Sequence, residues 1–156
     1  MAEHCHLRRL DSVWIEPTIY FVTTCAKGRQ ALLARDDVAA IFIDEFREAR
    51  ERHGWRVGRF VIMPDHPQLF CANDGSSGEA PLSHFIGPFK QWTAKRMMAI
   101  GVPGPIWQKQ FFDHLLRSPQ SYGDKWTYVR ENPVRAGLVA RAKDWPYAGE
   151  IEALDL

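Results

Sequence analysis

An α+β fold is predicted by three observations: apolar, β-branched runs of strand length, two stripes of apolar residues at helical spacing, and Gly or Pro breakers at the joints between them. In chain order these give β-α-β-β-α-β followed by a further helix. That order predicts a ferredoxin-like sandwich, a four-stranded antiparallel sheet with helices packed on one face plus a C-terminal helix. At 156 residues and 46% hydrophobic content, the chain is expected to form a single domain, 1–156, that buries about two thirds of its unfolded surface.

Thr18 to Cys25 is rich in β-branched and aromatic residues and reads as the first strand, ending at the turn-like Lys27-Gly28. Val38, Ile41, Phe42, Phe46 and Ala49 recur at helical spacing, with Asp36 as expected N-cap and Gly54 just past the end. Trp55 to Met63 is the second strand, Pro64-Asp65 a turn, and Gln68 to Cys71 the third strand, before a turn-rich loop from Asn73 to Gly78. Leu82, Phe85, Ile86, Phe89, Thr93 and Met97 form the second helical stripe, which Gly87-Pro88 should kink or delay, with Lys90, Lys95 and Arg96 on its outer side. Past the breaker at 101–105, Ile106 to Leu116 is mostly extended and holds the fourth strand. Ser118-Pro119 is an N-cap followed by proline at the first helical position. That helix should run to about Asn132, because Pro133 disfavours helical geometry in the residue before it.

A net charge of +1 excludes a protein that coats nucleic acid by bulk charge, so any such binding must come from local basic patches. Candidates are Arg47, Arg50, Arg52, Arg56 and Arg59, then Lys90, Lys95 and Arg96, then Arg130, Arg135, Arg141 and Lys143; the plainer reading of each group is a solvated face. Cys5, Cys25 and Cys71 are odd in number and lack CxxC spacing, which argues against a disulfide framework or zinc knuckle and fits a reducing compartment. The charges at Glu3, Arg8 and Arg9 precede no apolar stretch of signal-peptide length, and nowhere do about 18 apolar residues run together. The expected location is cytoplasmic, on the nucleoid when bound to DNA.

Two positions carry chemistry. In Met63-Pro64-Asp65-His66-Pro67-Gln68, strand alternation turns His66 and Gln68 to one face, a spacing that suits a metal site. In Tyr128-Val129-Arg130-Glu131-Asn132-Pro133, Tyr128 and Asn132 lie one helical turn apart. A strand pair facing a helical tyrosine and amide can build a phosphodiester-cleaving site.

With these residues in view, the sequence resembles the REP-associated tyrosine transposases, a branch of the HUH single-strand nuclease superfamily. The resemblance rests on Ile19-Tyr20-Phe21-Val22-Thr23, Val61 to His66, Trp107 to His114, Tyr128 to Val139 and Trp145-Pro146-Tyr147, in the family's order. It implies an endonuclease and strand-transferase acting on single-stranded or hairpin DNA of the REP type. Tyr128 would be the nucleophile, forming a 5′-phosphotyrosine, and a divalent cation, Mg²⁺ or Mn²⁺, would be held by His66, Gln68 and Asn132. Lys90, Lys95, Arg96, Arg130 and Arg135 are the expected DNA contacts. The site helix can come from the same chain or from a partner, so a monomer and a homodimer are both open.

The chain departs from the family at one point. Members usually carry His, a hydrophobic residue and His, where this chain reads His66-Pro67-Gln68. An amide oxygen can bind a hard cation, but it is neutral and usually a weaker ligand than imidazole is for softer metals. Pro67, without an N–H, fits a strand start, an edge or a bulge. Plainer roles stay open: Tyr128 at a core edge, Asn132 as a helix C-cap, His66 in a turn, His114 as a hydrogen-bonded strand residue, and Tyr122, Tyr147, Trp107, Trp126 and Trp145 in packing, although the tryptophans could stack bases. The rival functions are a domesticated hairpin-DNA-binding protein with weakened chemistry and an unrelated ferredoxin-like module binding a small molecule or protein.

Overall fold

The computed structural model describes residues 18–76, 78 and 80–154; Glu3, Cys5, Arg8 and Arg9 lie outside them. Five strands form one antiparallel sheet: β1 (Ile19–Ala26), β2 (Trp55–Met63), β3 (His66–Asn73), β4 (Trp107–Leu116) and β5 (Ala148–Glu150), in the order β4-β1-β3-β2-β5. The first four strands follow the expected ferredoxin-like arrangement. The fifth extends the β2 edge through Phe60↔Gly149 and its neighbours. At three residues β5 is too short to show alternation in sequence, which hides it.

Helix α1 (Asp36–His53) buries Val38, Ile41, Phe42, Phe46 and Ala49 against the sheet. Arg35, not Asp36, takes the extended N-cap conformation; Asp36 opens the helix instead and its carboxylate accepts a 2.8 Å bond from the Tyr147 hydroxyl. Gly54 ends the helix at φ +72°, a left-handed conformation that favours glycine.

β3 starts at His66, two residues earlier than expected, and so includes Pro67. The chain tolerates this because the Ile62↔Pro67 pair makes no ladder bonds. Ile62 turns its N–H to the Tyr147 carbonyl (2.8 Å) and its carbonyl to the Trp145 indole (3.1 Å), both away from β3. Pairing with β1 ends at Thr23↔Gln68, so the missing N–H of Pro67 interrupts neither ladder.

Helix α2 (Ser83–Ala99) runs through Gly87-Pro88, against the expected kink or delay. The carbonyl that Pro88 leaves without a donor belongs to exposed His84, which water can reach, while Phe85, Ile86 and Phe89 lock the same turns into the core. Ser118 caps α3 (Pro119–Arg130) in a reciprocal capping box with Ser121. That helix stops at Arg130, before the expected Asn132. Glu131 breaks the register and a single turn, α4 (Asn132–Arg135), restarts with Pro133 near its beginning, where a missing N–H costs nothing.

Strand alternation sends the two sheet faces to different partners. Val22, Phe60, Ile62, Leu69 and Cys71 face α1 and α2, forming the larger core. Ile19, Phe21, Val61, Met63, Phe70 and Ala72 face α3, whose Tyr122 and Val129 close a smaller core. Among the described residues, no helix is long and apolar enough to cross a membrane.

Candidate active site

The site lies on the α3 face. His66 and Gln68 share that face with Phe70 and Ala72, as the period of β3 requires. Phe70, fully buried, is the anvil for α3: its ring lies 5.0 Å from Tyr122 and 6.1 Å from Trp126. Within the chain, α3 packs on the sheet through this ring.

Past Glu131 the chain turns down onto the sheet, and the Asn132 amide donates a 2.6 Å hydrogen bond to Gln68 Oε1. The Arg135 guanidinium donates through Nη2 to both Asn132 Oδ1 and the Tyr128 carbonyl, and its carbon stands 3.9 Å from the Tyr128 ring centroid. One amide and one guanidinium thus link Gln68 to Tyr128. The expected turn-apart pairing of Tyr128 and Asn132 is replaced by this relay, because the helix breaks between them.

Of the four tyrosines in the sequence, Tyr128 is the one offering an open phenol, at 59% exposure. Tyr20 packs edge-on against Trp55 in the larger core. Tyr122 is buried without a hydroxyl partner, and burial pushes its phenol pKa up despite the Arg59 charge nearby. Tyr147 is tied to Asp36, which raises its pKa by holding the hydroxyl proton.

His66 is prepared for work by a residue that sequence reasoning placed only in a turn. Asp65 Oδ1 lies 2.6 Å from His66 Nδ1, and Asp65 Oδ2 takes a 2.7 Å bond from Arg29. Burial alone would raise the Asp65 pKa, but the hydrogen bonds from His66 and Arg29 outweigh it and lower it. A carboxylate at Nδ1 favours the tautomer with its proton there, which leaves Nε2 as the ring's acceptor nitrogen.

The donor set nevertheless fits a divalent cation poorly. It comprises one imidazole nitrogen and two neutral amide oxygens, each already accepting a hydrogen bond. For Gln68 to offer Oε1 fully, Asn132 would lose its acceptor. Among the described residues, no three His, Cys, Asp or Glu side chains gather as a metal site. A divalent ion held by Asn132 Oδ1 would also meet the like charge of the Arg135 guanidinium bonded to the same oxygen.

The expected DNA contacts fall into two groups. Arg130 and Arg135 are exposed, Arg135 over the Tyr128 ring and Arg130 two residues along α3, and Lys125 joins them with its ammonium 4.7 Å over Phe21 and 5.9 Å over Tyr128. Lys90, Lys95 and Arg96 sit on α2, across the sheet. Lys90 does not point outward as expected: it donates to the Gln108 and Gln110 carbonyls of β4, and burial lowers its pKa. Arg96 ties α2 to α1 through Asp44 (3.0 Å) and Glu45 (3.2 Å), while Lys95 is exposed over Trp92. Of the arginines between 47 and 59, Arg50, Arg52, Arg56 and Arg59 pair with acids.

The register adds an exposed aromatic that sequence reading missed. Val61, Gln68, Thr23 and Phe112 form one cross-strand row, and Phe112 is 63% exposed on the uncovered β4 side of the α3 face. His114, opposite Phe21 in the adjoining row, is exposed on the same face. Trp107 and Trp145 spend their indoles on Thr93 and Ile62, and Trp126 packs on Phe70, so these three serve in packing.

Comparison with known proteins points one way. No family model matches the chain. A Haemophilus influenzae protein named for the REP-associated tyrosine transposases is 27% identical over 143 residues, covering 83% of this chain and 78% of the relative. The Escherichia coli REP-associated tyrosine transposase is 23% identical over 135 residues, covering 86% and 78%. The fold matches a REP-associated tyrosine transposase solved with a REP hairpin, at a TM-score of 0.70 and 22% identity, covering 86% of this chain and 77% of that one. A Deinococcus radiodurans structure described as a transposase matches at 0.56 and 19% identity, covering 75% and 92%.

Proposed function

We propose that this chain, similar over more than four fifths of its length to proteins named REP-associated tyrosine transposases, recognises hairpin DNA and cuts adjacent single-stranded DNA through Tyr128. The observation that carries this reading is the relay from Gln68 through Asn132 and Arg135 to Tyr128, which leaves an exposed phenol on the His66 side of the sheet.

In the proposed reaction the Tyr128 oxygen attacks phosphorus and the bond from phosphorus to the 3′ oxygen breaks. The downstream strand leaves as a 5′-phosphotyrosine, and the upstream strand ends in a 3′ hydroxyl. His66 Nε2 takes the phenol proton, and the departing 3′ oxygen takes a proton from water. Reversal with another 3′ hydroxyl rejoins strands without a nucleotide cofactor. Lys125 and Arg130 supply phosphate contacts, and Phe112 offers a ring on which an unpaired base can stack. Arg29 and Asp65 act through His66 as positioning residues.

A second reading, a hairpin-binding protein with weakened chemistry, is favoured by the same amide relay, because Gln68 replaces the imidazole usual in the family. A labelled hairpin carrying a single-stranded flank separates the two. On a denaturing gel the wild type should cut the flank, and Tyr128→Phe should bind in a gel shift without cutting. Binding with no cut by the wild type supports the second reading.

A further inference from the structure

We infer that the Arg135 guanidinium is the resident cation of this site, in the role that the family resemblance gives to a divalent metal. The inference rests on the proposed Tyr128 reading and names the group that would neutralise the attacked phosphate. Arg135 is fixed by Asn132 Oδ1, the Tyr128 carbonyl and the face of the Tyr128 ring. Among the described residues no carboxylate lies within ion-pair distance of it, whereas Arg29, Arg56 and Arg96 are all compensated. Its charge is therefore without a carboxylate partner and lies over the ring of the nucleophile.

The donor inventory fits this role. Nη2 makes both hydrogen bonds, which leaves Nε and Nη1 for a phosphate oxygen, and a guanidinium fork suits phosphate better than a point charge does. The replacement of imidazole by Gln68 belongs to the same arrangement. An amide at 68 accepts from Asn132, and the oriented Asn132 in turn presents Oδ1 to Arg135. Such a site stabilises charge on the phosphate without Mg²⁺ or Mn²⁺.

Two measurements on the full chain test this. Mn²⁺ titration followed by electron paramagnetic resonance should leave the ion free at millimolar concentration; stoichiometric binding that His66→Ala abolishes would overturn the inference. Cleavage of the labelled hairpin in EDTA should match that in Mg²⁺ within about twofold. Arg135→Ala should lose about 100-fold in rate, the scale of removing one fixed charge-stabilising donor. Guanidinium ion added at millimolar concentration should restore part of that loss, which a merely structural role for Arg135 would not allow. A rate at least tenfold dependent on Mg²⁺, or an Arg135→Ala variant that cuts like wild type, would refute it. If the wild type cuts under no condition, the Tyr128 reading fails, and the Mn²⁺ titration still decides which cation holds the site.

Discussion

Gln68 joins the sheet to the chain that carries Tyr128 through one hydrogen bond, so a small change there tests both packing and function. Gln68→Ala removes the acceptor of the Asn132 amide and should cost about 1–3 kcal/mol, measured by urea denaturation. Tyr128→Phe should leave the same denaturation curve unmoved, because the phenol is exposed and the ring contact with Arg135 survives. Its effect should appear in cleavage alone. Burial, with a smaller contribution from Asp113, pushes the Cys71 thiol far above its ordinary range, so a thiol reagent should leave Cys71 unmodified in the folded protein and label it in urea. At this scale the shared face of His66 and Gln68 was legible in sequence, since it needs only the period of a strand. The clasp of Asp65 on His66 was not, because it depends on the turn between β2 and β3 and on Arg29 arriving from 36 positions upstream.

Helix α3 rests on Phe70, which touches Phe21, Tyr122 and Trp126 in the smaller core. Phe70→Ala should cost about 3–5 kcal/mol. Hydrogen exchange should rise across α3, carrying Tyr128 out of register and reducing cleavage as well. On the opposite face, the end of α1 makes stability pH-dependent. Burial first, and the Arg52 charge second, hold the His53 pKa below its ordinary 6.5 against the opposing pull of Glu45. The unfolded chain then binds a proton that the folded one resists. This contribution is complete above pH 6.5 and is lost as pH falls from there through the lower folded pKa. Urea denaturation of His53→Gln should show a shallower loss than wild type between pH 7.5 and 5.5. The start of α3 was readable from Ser118-Pro119, a local signal. Its end was not, because the break at Glu131 lets Asn132 reach the sheet, a tertiary contact that no propensity encodes.

The whole molecule uses the two faces of one sheet differently, α1 and α2 covering one to make the main core and α3 leaving the β4 side of the other open beside Tyr128. The β-α-β-β-α-β order was legible because each piece has its own period. The edge strand β5 and the commitment of Lys90 and Arg96 to internal contacts were not, since both depend on neighbours remote in sequence. Because α3 seats on its own sheet, mixing Tyr128→Phe with His66→Ala should not restore cleavage; restoration would require a site shared between two chains. The most direct test of the account is to trap the covalent intermediate on a hairpin substrate whose short flank dissociates after cutting, then map the labelled peptide by mass spectrometry. One DNA strand should be found joined by its 5′ phosphate to Tyr128. A cut without a protein adduct, or an adduct on Tyr20, Tyr122 or Tyr147, would contradict it.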